Sequence, residues 1–250
     1  MIVVIPMAGG DEAFRERGYA FCKPLIEVRG KPLAERVLNN LKSLQADAHA
    51  FIIRREDAKR FHLDEVLRLM DPNAQIVQSD GPTAGAACTV MLAIEHIKPD
   101  AELVIANGDQ VLDLDLGAVV AGFRARGLDA GAIAFDSVHP RWSFVRLDEN
   151  DLVIEAAEKR PISRLATAGF YYFKRGSDFL QAAGDMIRKD AHVNGAFYVC
   201  PTFNEMILRH ARIGIAKIER EQYVSLATPQ NVEEYEQKLT QRSESIRDQR

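Results

Sequence analysis

Short apolar runs alternate with stretches of helical periodicity through the first half of this 250-residue chain. Ile2 to Ile5, Phe51 to Ile53, Gln75 to Val77, Leu103 to Ala106 and Ala132 to Phe135 have the length and β-branched character of buried strands. Between them, Leu33, Val37, Leu38, Leu41 and Leu44 recur at helical spacing, and Asp57 to Met70 and Ala84 to Ile97 carry the same period. Strands separated by helices pair in parallel through crossovers, so the pattern restricts the fold to α/β, with βαβ units on a mostly parallel sheet flanked by helices.

The pattern changes after Asp136. Trp142 to Leu147, Leu152 to Ala156 and Ala166 to Phe173 read as strands with little helix between them, the first two joined by the turn Asp148-Glu149-Asn150-Asp151. This predicts an antiparallel insertion over about 136–175, suited to a lid or a substrate wall. Helices resume at Asp178 to Arg188 and Pro201 to His210, and a strand follows at Ile213 to Ile218. Thr228-Pro229 then opens a last helix, with proline in its first turn. The organisation expected is one domain over 1–235 and a polar tail over 236–250 that is a frayed helix or disordered.

Hydrophobic residues at 47% and charged residues at 27% allow a sizeable core, and the formal net charge of -4 gives no overall basic field to attract nucleic acid. The opening MIVVIPMAGG stops at a glycine pair and lacks a basic flank, so it reads as a buried strand rather than a signal peptide. No stretch approaches the roughly 18 apolar residues of a membrane span. Cys22, Cys88 and Cys200 show no ligand spacing and read as reduced thiols, so a cytoplasmic protein without membrane or nucleic-acid partners is expected. Self-association into a homo-oligomer is compatible with the sequence but not specified by it.

In an open parallel sheet, ligands bind beyond the carboxyl ends of the strands. The first such end is Pro6-Met7-Ala8-Gly9-Gly10, where small residues let backbone N–H groups approach a ligand. The loop fits neither G-x-G-x-x-G nor the P-loop, which disfavours a dinucleotide dehydrogenase or a P-loop kinase. Lys23, set beside Pro24, can reach the same mouth; a solvated loop lysine is the plainer alternative. Asp109 follows the strand Leu103 to Ala106 and suits Mg²⁺, which binds through one or two carboxylates plus substrate phosphates. A helix cap is the competing reading.

The ordered set VIPMAGG, GYAFCKPLIEVRGKPL, GAACTVMLA, ANGDQ, EAAEKRPIS, ATAGFYYF and ATPQNVEEY resembles the nucleotide-sugar pyrophosphorylases, nucleotidyltransferases that act on sugar 1-phosphates. The resemblance covers roughly Met1 to Tyr235 and is nearest to a compact branch associated with bacterial surface-polysaccharide gene products. It implies a Rossmann-like sheet with an inserted sugar-binding region. Transfer from an NTP to a phosphorylated sugar or polyol, with Mg²⁺ and release of pyrophosphate, is the activity implied. Carried over residue by residue, it places Ala8 and Gly9 against the nucleotide and Lys23 on phosphates. Gly85 falls at the base and ribose, and Gln78 at the base. Asp109 falls on the metal, Glu158 and Lys159 at the sugar and its phosphate, and Gly169 at the sugar through its backbone.

The sequence departs from that family where the loop usually reads PMAGxGxR. Here Asp11 replaces the second glycine and Ala13 the arginine, which sets an acid beside a triphosphate and removes a phosphate clamp. Arg15 or Arg17 are the available substitutes. Asn204 is the expected late metal ligand, with Asn194 as the other candidate. Trp142 and Ser143 read equally as sugar wall or core, while His139, His192 and His210 lack ligand spacing. Two further readings stay open. One is a non-catalytic nucleotide- or sugar-phosphate-binding relative with a degenerate loop. The other is a glycosyltransferase using Asp113-Leu114-Asp115 as a metal motif, although a helix cap is the simpler role for that triplet.

Overall fold

The computed structural model describes the backbone of residues 1–247 and the side-chain surroundings of 1–241. In chain order the strands and α-helices begin with β1 (Ile2–Pro6), α1 (Glu12–Glu16), β2 (Glu27–Val28), β3 (Lys31–Pro32), α2 (Leu33–Leu41) and β4 (Ala48–Arg54). There follow α3 (Arg55–Phe61), α4 (Leu63–Met70), β5 (Gln75–Ser79), α5 (Ala86–Met91), β6 (Leu103–Ala106), β7 (Gln110–Leu112) and α6 (Leu116–Ala125). Then come β8 (Ala130–Asp136), β9 (Ser143–Leu147), β10 (Val153–Glu158), β11 (Leu165–Phe173) and α7 (Gly176–Arg188). The chain ends in α8 (Thr202–Ile207), β12 (Ile213–Ile218), β13 (Tyr223–Ser225) and α9 (Pro229–Arg247).

The parallel strands β6, β1, β4 and β5 lie side by side and form the centre of the sheet. Alternate side chains of β1 serve opposite faces. Val3 and Ile5 enter a core layer with α2, α3, α4 and α6, whereas Ile2 and Val4 enter the layer formed with α5, α7 and α8. Helix α7 fits its layer because Phe179, Ala182, Ala183 and Met186 recur at three- and four-residue spacing and are buried. Among the described residues, no helix is long and apolar enough to cross a membrane.

The antiparallel segment does not stand away from this sheet; it extends it. The second half of β11 pairs antiparallel with β6, its first two residues pair with β9, and β10 closes that edge. Strand β8 pairs with β11 and, in parallel, with β12. Residues 167–169 of β11 therefore fall between its two neighbours, with Asn107 donating its backbone N–H to Gly169 O at 2.9 Å. The β11–β8 register also shifts between Thr167 and Tyr171, as a bulge requires.

Two expectations change. The helix read over 57–70 is two helices, α3 and α4, broken where His62 adopts φ 53°. The polar segment from Glu236 continues α9 to Arg247: Leu239 packs onto a cluster with Phe14 and Val28, and Arg29 donates to Leu239 O at 2.7 Å. The remainder of that tail, 248–250, lies outside the described residues. In Asp113-Leu114-Asp115, the simpler reading holds: Asp115 caps α6, its carboxylate accepting the Ala118 N–H at 3.1 Å.

Candidate active site

The carboxyl ends of β1 and β6 abut. Met7 is held by its N–H to Ile52 O at 2.7 Å. Gly108 lies against it so closely that an added Cβ would sit 2.6 Å from Met7 Cγ. Ala8 is half-buried and Gly9 and Gly10 are exposed beyond this junction. Lys23 enters on a single 3₁₀ turn with Pro24, and its Nζ donates to Asp109 Oδ2 at 2.8 Å. The side chains are 14% and 28% exposed, so the pair is partly withdrawn from water yet accessible to a ligand. Lys23 is not a solvated loop lysine, and Asp109 caps no helix, because β7 follows it.

Gly85 precedes α5 with φ 104°, and an added Cβ would meet the backbone of Phe197. Thr83 and Thr89 both donate to Gly85 O, at 3.1 and 3.2 Å, which fixes this loop. Gln78 lies exposed near the carboxyl end of β5, paired in register with Ile53.

Where β11 passes from β9 to β6, a cavity of about 290 Å³ opens. Asn107, Arg141, Trp142, Glu158, Gly169 and Tyr198 are among its walls, and Ala86 lines it beside Gly85. Glu158 is only 7% exposed and faces Ser143 across the β9–β10 ladder, accepting its hydroxyl hydrogen bond. Burial pushes the Glu158 carboxyl above its ordinary range, against the opposing Ser143 hydrogen bond and Lys159 charge. Lys159 adopts φ 53°, which turns it out of the strand. Its Nζ donates to Tyr198 Oη at 2.9 Å, and that bond raises the lysine's affinity for its proton. Gly169 adopts φ 60°, and a side chain there would collide with Asn107 and Gln110. Gln110 holds the bulge, donating to Ala168 O and to Gly169 O, the latter at 3.1 Å.

The two departures in the glycine loop have a structural answer. Asp11 does not project toward the loop's ligand face; it is 5% exposed and takes two bonds from Arg54, at 2.8 and 3.2 Å. Burial pushes the Asp11 carboxyl up, but the Arg54 hydrogen bonds and charge, with Arg15, outweigh it and leave the group below its ordinary range. Arg54 also binds Asp57, at 2.7 and 3.0 Å, and Arg15 is held by Asp11 and Glu12. Neither arginine is free to clamp a phosphate in this arrangement.

Asn204 does not join Asp109. Its Oδ1 accepts from Ala156 N at 2.9 Å and its Nδ2 donates to Ala156 O at 2.8 Å, so the amide clasps β10. Asn194 sits at φ 51° in the turn bridged by Val193 and Ala196. Both line a larger cavity of about 580 Å³ on the other side of Glu158. The end of β13 reaches the Asp109 backbone: Ser225 faces Gln110 across the β7 ladder, its hydroxyl accepting the Ala227 N–H at 3.3 Å, and the next N–H, of Leu226, donates to Asp109 O at 2.8 Å. Sequence reasoning missed Ser225, Arg141 and Tyr198. The signal available for Ser225 was its place just before Thr228-Pro229, at the end of a short apolar run. Among the described residues no cluster of three His, Cys, Asp or Glu side chains forms a metal cage.

Residues 4–143 match the model of the MobA-like NTP transferase domain, and the chain belongs to that family. It is 27% identical over 180 residues to a protein of Sulfolobus acidocaldarius designated a mannose-1-phosphate guanyltransferase; the match covers 70% of this chain and 49% of that protein. It is also 27% identical over 154 residues to the bifunctional protein GlmU of Methanococcus aeolicus, covering 61% of this chain and 35% of the relative. The chain thus spans half or less of the length of these curated relatives. The fold is that of a nucleoside-diphosphate-sugar pyrophosphorylase from Vibrio cholerae RC9, with TM-score 0.81, 24% identity, and 94% and 99% of the two chains covered.

Proposed function

We propose that this chain transfers a nucleotidyl group from an NTP to a sugar phosphate or a similar phosphorylated polyol, releasing pyrophosphate. The observation that carries this reading is the Lys23–Asp109 pair, 2.8 Å apart where the β1 and β6 loops meet, beside a cavity walled by a buried carboxylate. The name of the Sulfolobus relative, a mannose-1-phosphate guanyltransferase, supports a sugar 1-phosphate as acceptor.

The physical problem is charge. An NTP carries about four negative charges and a monophosphate about two, and at a few ångströms in a partly dry site their repulsion amounts to several kcal/mol. Lys23 supplies one compensating charge at the junction. Asp109 fits Mg²⁺, because its Oδ1 accepts no hydrogen bond from the described residues and one carboxylate with substrate phosphates suffices for that ion. Ser225 is the neighbouring oxygen in this reading, in place of Asn204. When bound, Mg²⁺ would neutralise phosphate oxygens and the charge that grows in the transition state.

The backbone around Ala8 and Gly9 receives the nucleotide phosphates, and the Gly85 loop with Gln78 receives the ribose and base. Glu158 accepts hydroxyls of the acceptor, Lys159 stands at its phosphate end, and Gly169 lets it approach the β11 backbone. An acceptor phosphate oxygen forms the new bond to the α-phosphorus in line as the bond to pyrophosphate breaks. That phosphate is already ionised at neutral pH, so no protein base is required. The product, a nucleotide-activated sugar or polyol, suits consumption by a glycosyltransferase in cytoplasmic assembly of surface polysaccharide.

The test is pyrophosphate release from CTP, UTP, GTP, ATP and dTTP, each with Mg²⁺ and a panel of phosphorylated sugars and polyols. One NTP is expected to turn over, with loss of activity in EDTA. Binding of an NTP with no pyrophosphate from any acceptor would favour a second reading, a non-catalytic nucleotide-binding relative. The engagement of Arg54 and Arg15 by Asp11, together with Ala13, is the observation on that side.

A further inference from the structure

The cations around the 290 Å³ cavity are unequally engaged. Lys159 is bonded to Tyr198 and lies over its ring at 5.1 Å. Arg160 is paired with Glu155 at 2.8 Å. Arg220 donates to Tyr223 O at 3.0 Å and rests over the rings of Phe135, Tyr223 and Trp142 at 5.1, 5.2 and 5.8 Å. Arg141 differs from all three. It lines the cavity, is exposed, and has no carboxylate partner among the described residues. Its guanidinium carbon lies 4.5 Å from the centre of the Trp142 ring.

That ring is a fixed platform. Phe135 and Tyr223 meet it edge-on, with ring centres 5.2 and 5.3 Å away. The Arg141 backbone is itself tied by its N–H to His139 Nδ1 at 3.2 Å. A guanidinium laid on an aromatic face keeps its N–H edge free, and that edge matches two oxygens of a phosphate. Tyr223, which also lines the cavity and meets Trp142 edge-on, belongs to β13, whose end is tied to Asp109 O by the Leu226 N–H at 2.8 Å. Glu158 is in the same cavity, and a ligand with hydroxyls at one end and a phosphate at the other spans the two.

We propose that Arg141, preorganised on Trp142, is an acceptor-binding residue that grips the phosphate of the acceptor while Glu158 holds its hydroxyls. The word acceptor rests on the nucleotidyl-transfer reading above; the phosphate site itself does not.

Trp142 is the single tryptophan of the sequence, so its emission reports on the two guanidinium groups against its ring, and the Arg141 variants separate Arg141 from Arg220. The probe is inorganic phosphate titrated against chloride at constant ionic strength, followed by tryptophan emission and, independently, by titration calorimetry. The wild-type protein is expected to show a saturable change in both. Arg141→Ala should lose it in both, and Arg141→Lys, which keeps charge without the planar fork, should bind at least fivefold more weakly. A silent wild type, or equal phosphate affinity in Arg141→Ala by calorimetry, overturns the proposal. NTP–Mg²⁺ affinity, read by thermal shift, should change less than twofold in Arg141→Ala. A parallel loss there would mean that the arginine serves the nucleotide, and would also overturn it. If no NTP binds even the wild type, nucleotidyl transfer fails, while the phosphate titration still decides the role of Arg141.

Discussion

Lys23 and Asp109 are 86 positions apart in the chain and meet at 2.8 Å, where the loops after β1 and β6 touch. The pair joins a cation and an oxygen ligand at one point, so each residue should fail differently. Asp109→Ala should abolish Mg²⁺-dependent stabilisation by the NTP and lower turnover below detection. Lys23→Ala should keep nucleotide binding but lower kcat by about 10²–10³-fold, the usual loss when one preorganised charge partner of a transition state is removed. Steady-state kinetics and thermal shift with and without Mg²⁺ check both. Retained activity in Asp109→Ala would remove its metal role.

Arg54 is the hub of the glycine loop, since Asp11 and Asp57 are both buried against it. Arg54→Met leaves buried Asp57 without its cation and Asp11 with Arg15 alone, and breaking a buried pair in this way costs about 3–5 kcal/mol. The variant should show a pH dependence in a window where the wild-type Asp11 contributes none. In the wild type the Asp11 carboxyl lies below its ordinary value, so its contribution is complete above that value and lost as pH falls through the lowered one. In Arg54→Met, Asp57, already raised by burial in the wild type, loses the partner that opposes it, and Asp11 keeps only Arg15 against burial, so stability should fall more steeply as pH rises through the raised values. Melting curves from pH 5 to 8 decide; an unchanged pH trend would show that Arg54 is not what holds Asp11 ionised.

Glu158 offers a second pH signature. Burial raises its carboxyl, so the ionised form is disfavoured in the free protein. Its stability contribution is therefore lost as pH rises from the ordinary glutamate range through the raised value. Glu158→Gln should raise the melting temperature near neutral pH, flatten its dependence on pH in that window, and raise KM for the acceptor with little effect on KM for the NTP. A melting temperature that drops at neutral pH would show that the charged form is stabilised by partners in the cavity.

How much of this was legible in the sequence follows from the range of the interactions. Leu103–Ala106 and Ile213–Ile218 match the expected strands residue for residue; the first is buried on both faces and so carries its own signal, while the second is a β-branched run with Lys217 exposed. Lys23, Asp109, Glu158, Lys159 and Gly169 were reachable from motif order, and the structure gathers them into two adjoining places. The break at His62 has no glycine or proline to announce it; the residue takes φ 53° to let α3 and α4 bury separate faces. The Arg54 partner of Asp11 lies 43 positions away and is fixed only when β4 pairs with β1. Strands β7 and β13 span three residues each, too short for a period, so the placement of Ser225 near Asp109 depends on their pairing alone. Residue chemistry pointed to Asn204 for the late ligand, but its amide is engaged by Ala156, whereas strand pairing carries the end of β13, with Ser225, to the Asp109 backbone.

Gly169 tests how tightly the cavity wall is specified. At φ 60°, with Asn107 and Gln110 against its Cα, it has room for neither an L side chain's preferred backbone nor its Cβ. Gly169→Ala should cost about 1–3 kcal/mol from the backbone conformation and the displaced amides. In a domain of this size that lowers the melting temperature by about 2–4 °C per kcal/mol. The acceptor KM should rise with it, because Asn107 would be pushed into the cavity. An alanine variant with wild-type melting and kinetics would show that β11 can relax without its bulge.

The separation of Asn204 from Asp109 gives the remaining test. Its amide makes a donor and an acceptor bond to the same residue, Ala156, at 2.8 and 2.9 Å, and so fixes β10 two residues before Glu158. Asn204→Ala leaves that backbone N–H and C=O without partners, a cost of about 1–3 kcal/mol for each group that stays buried. Displacing β10 should also loosen Glu158 and weaken acceptor binding, while the Mg²⁺ concentration needed for half-maximal activity stays where it was. Ser225→Ala should do the opposite, raising that concentration with little change in melting temperature. A Mg²⁺ requirement that shifts in Asn204→Ala and not in Ser225→Ala would return the ligand role to Asn204 and require the β13 end to serve structure only.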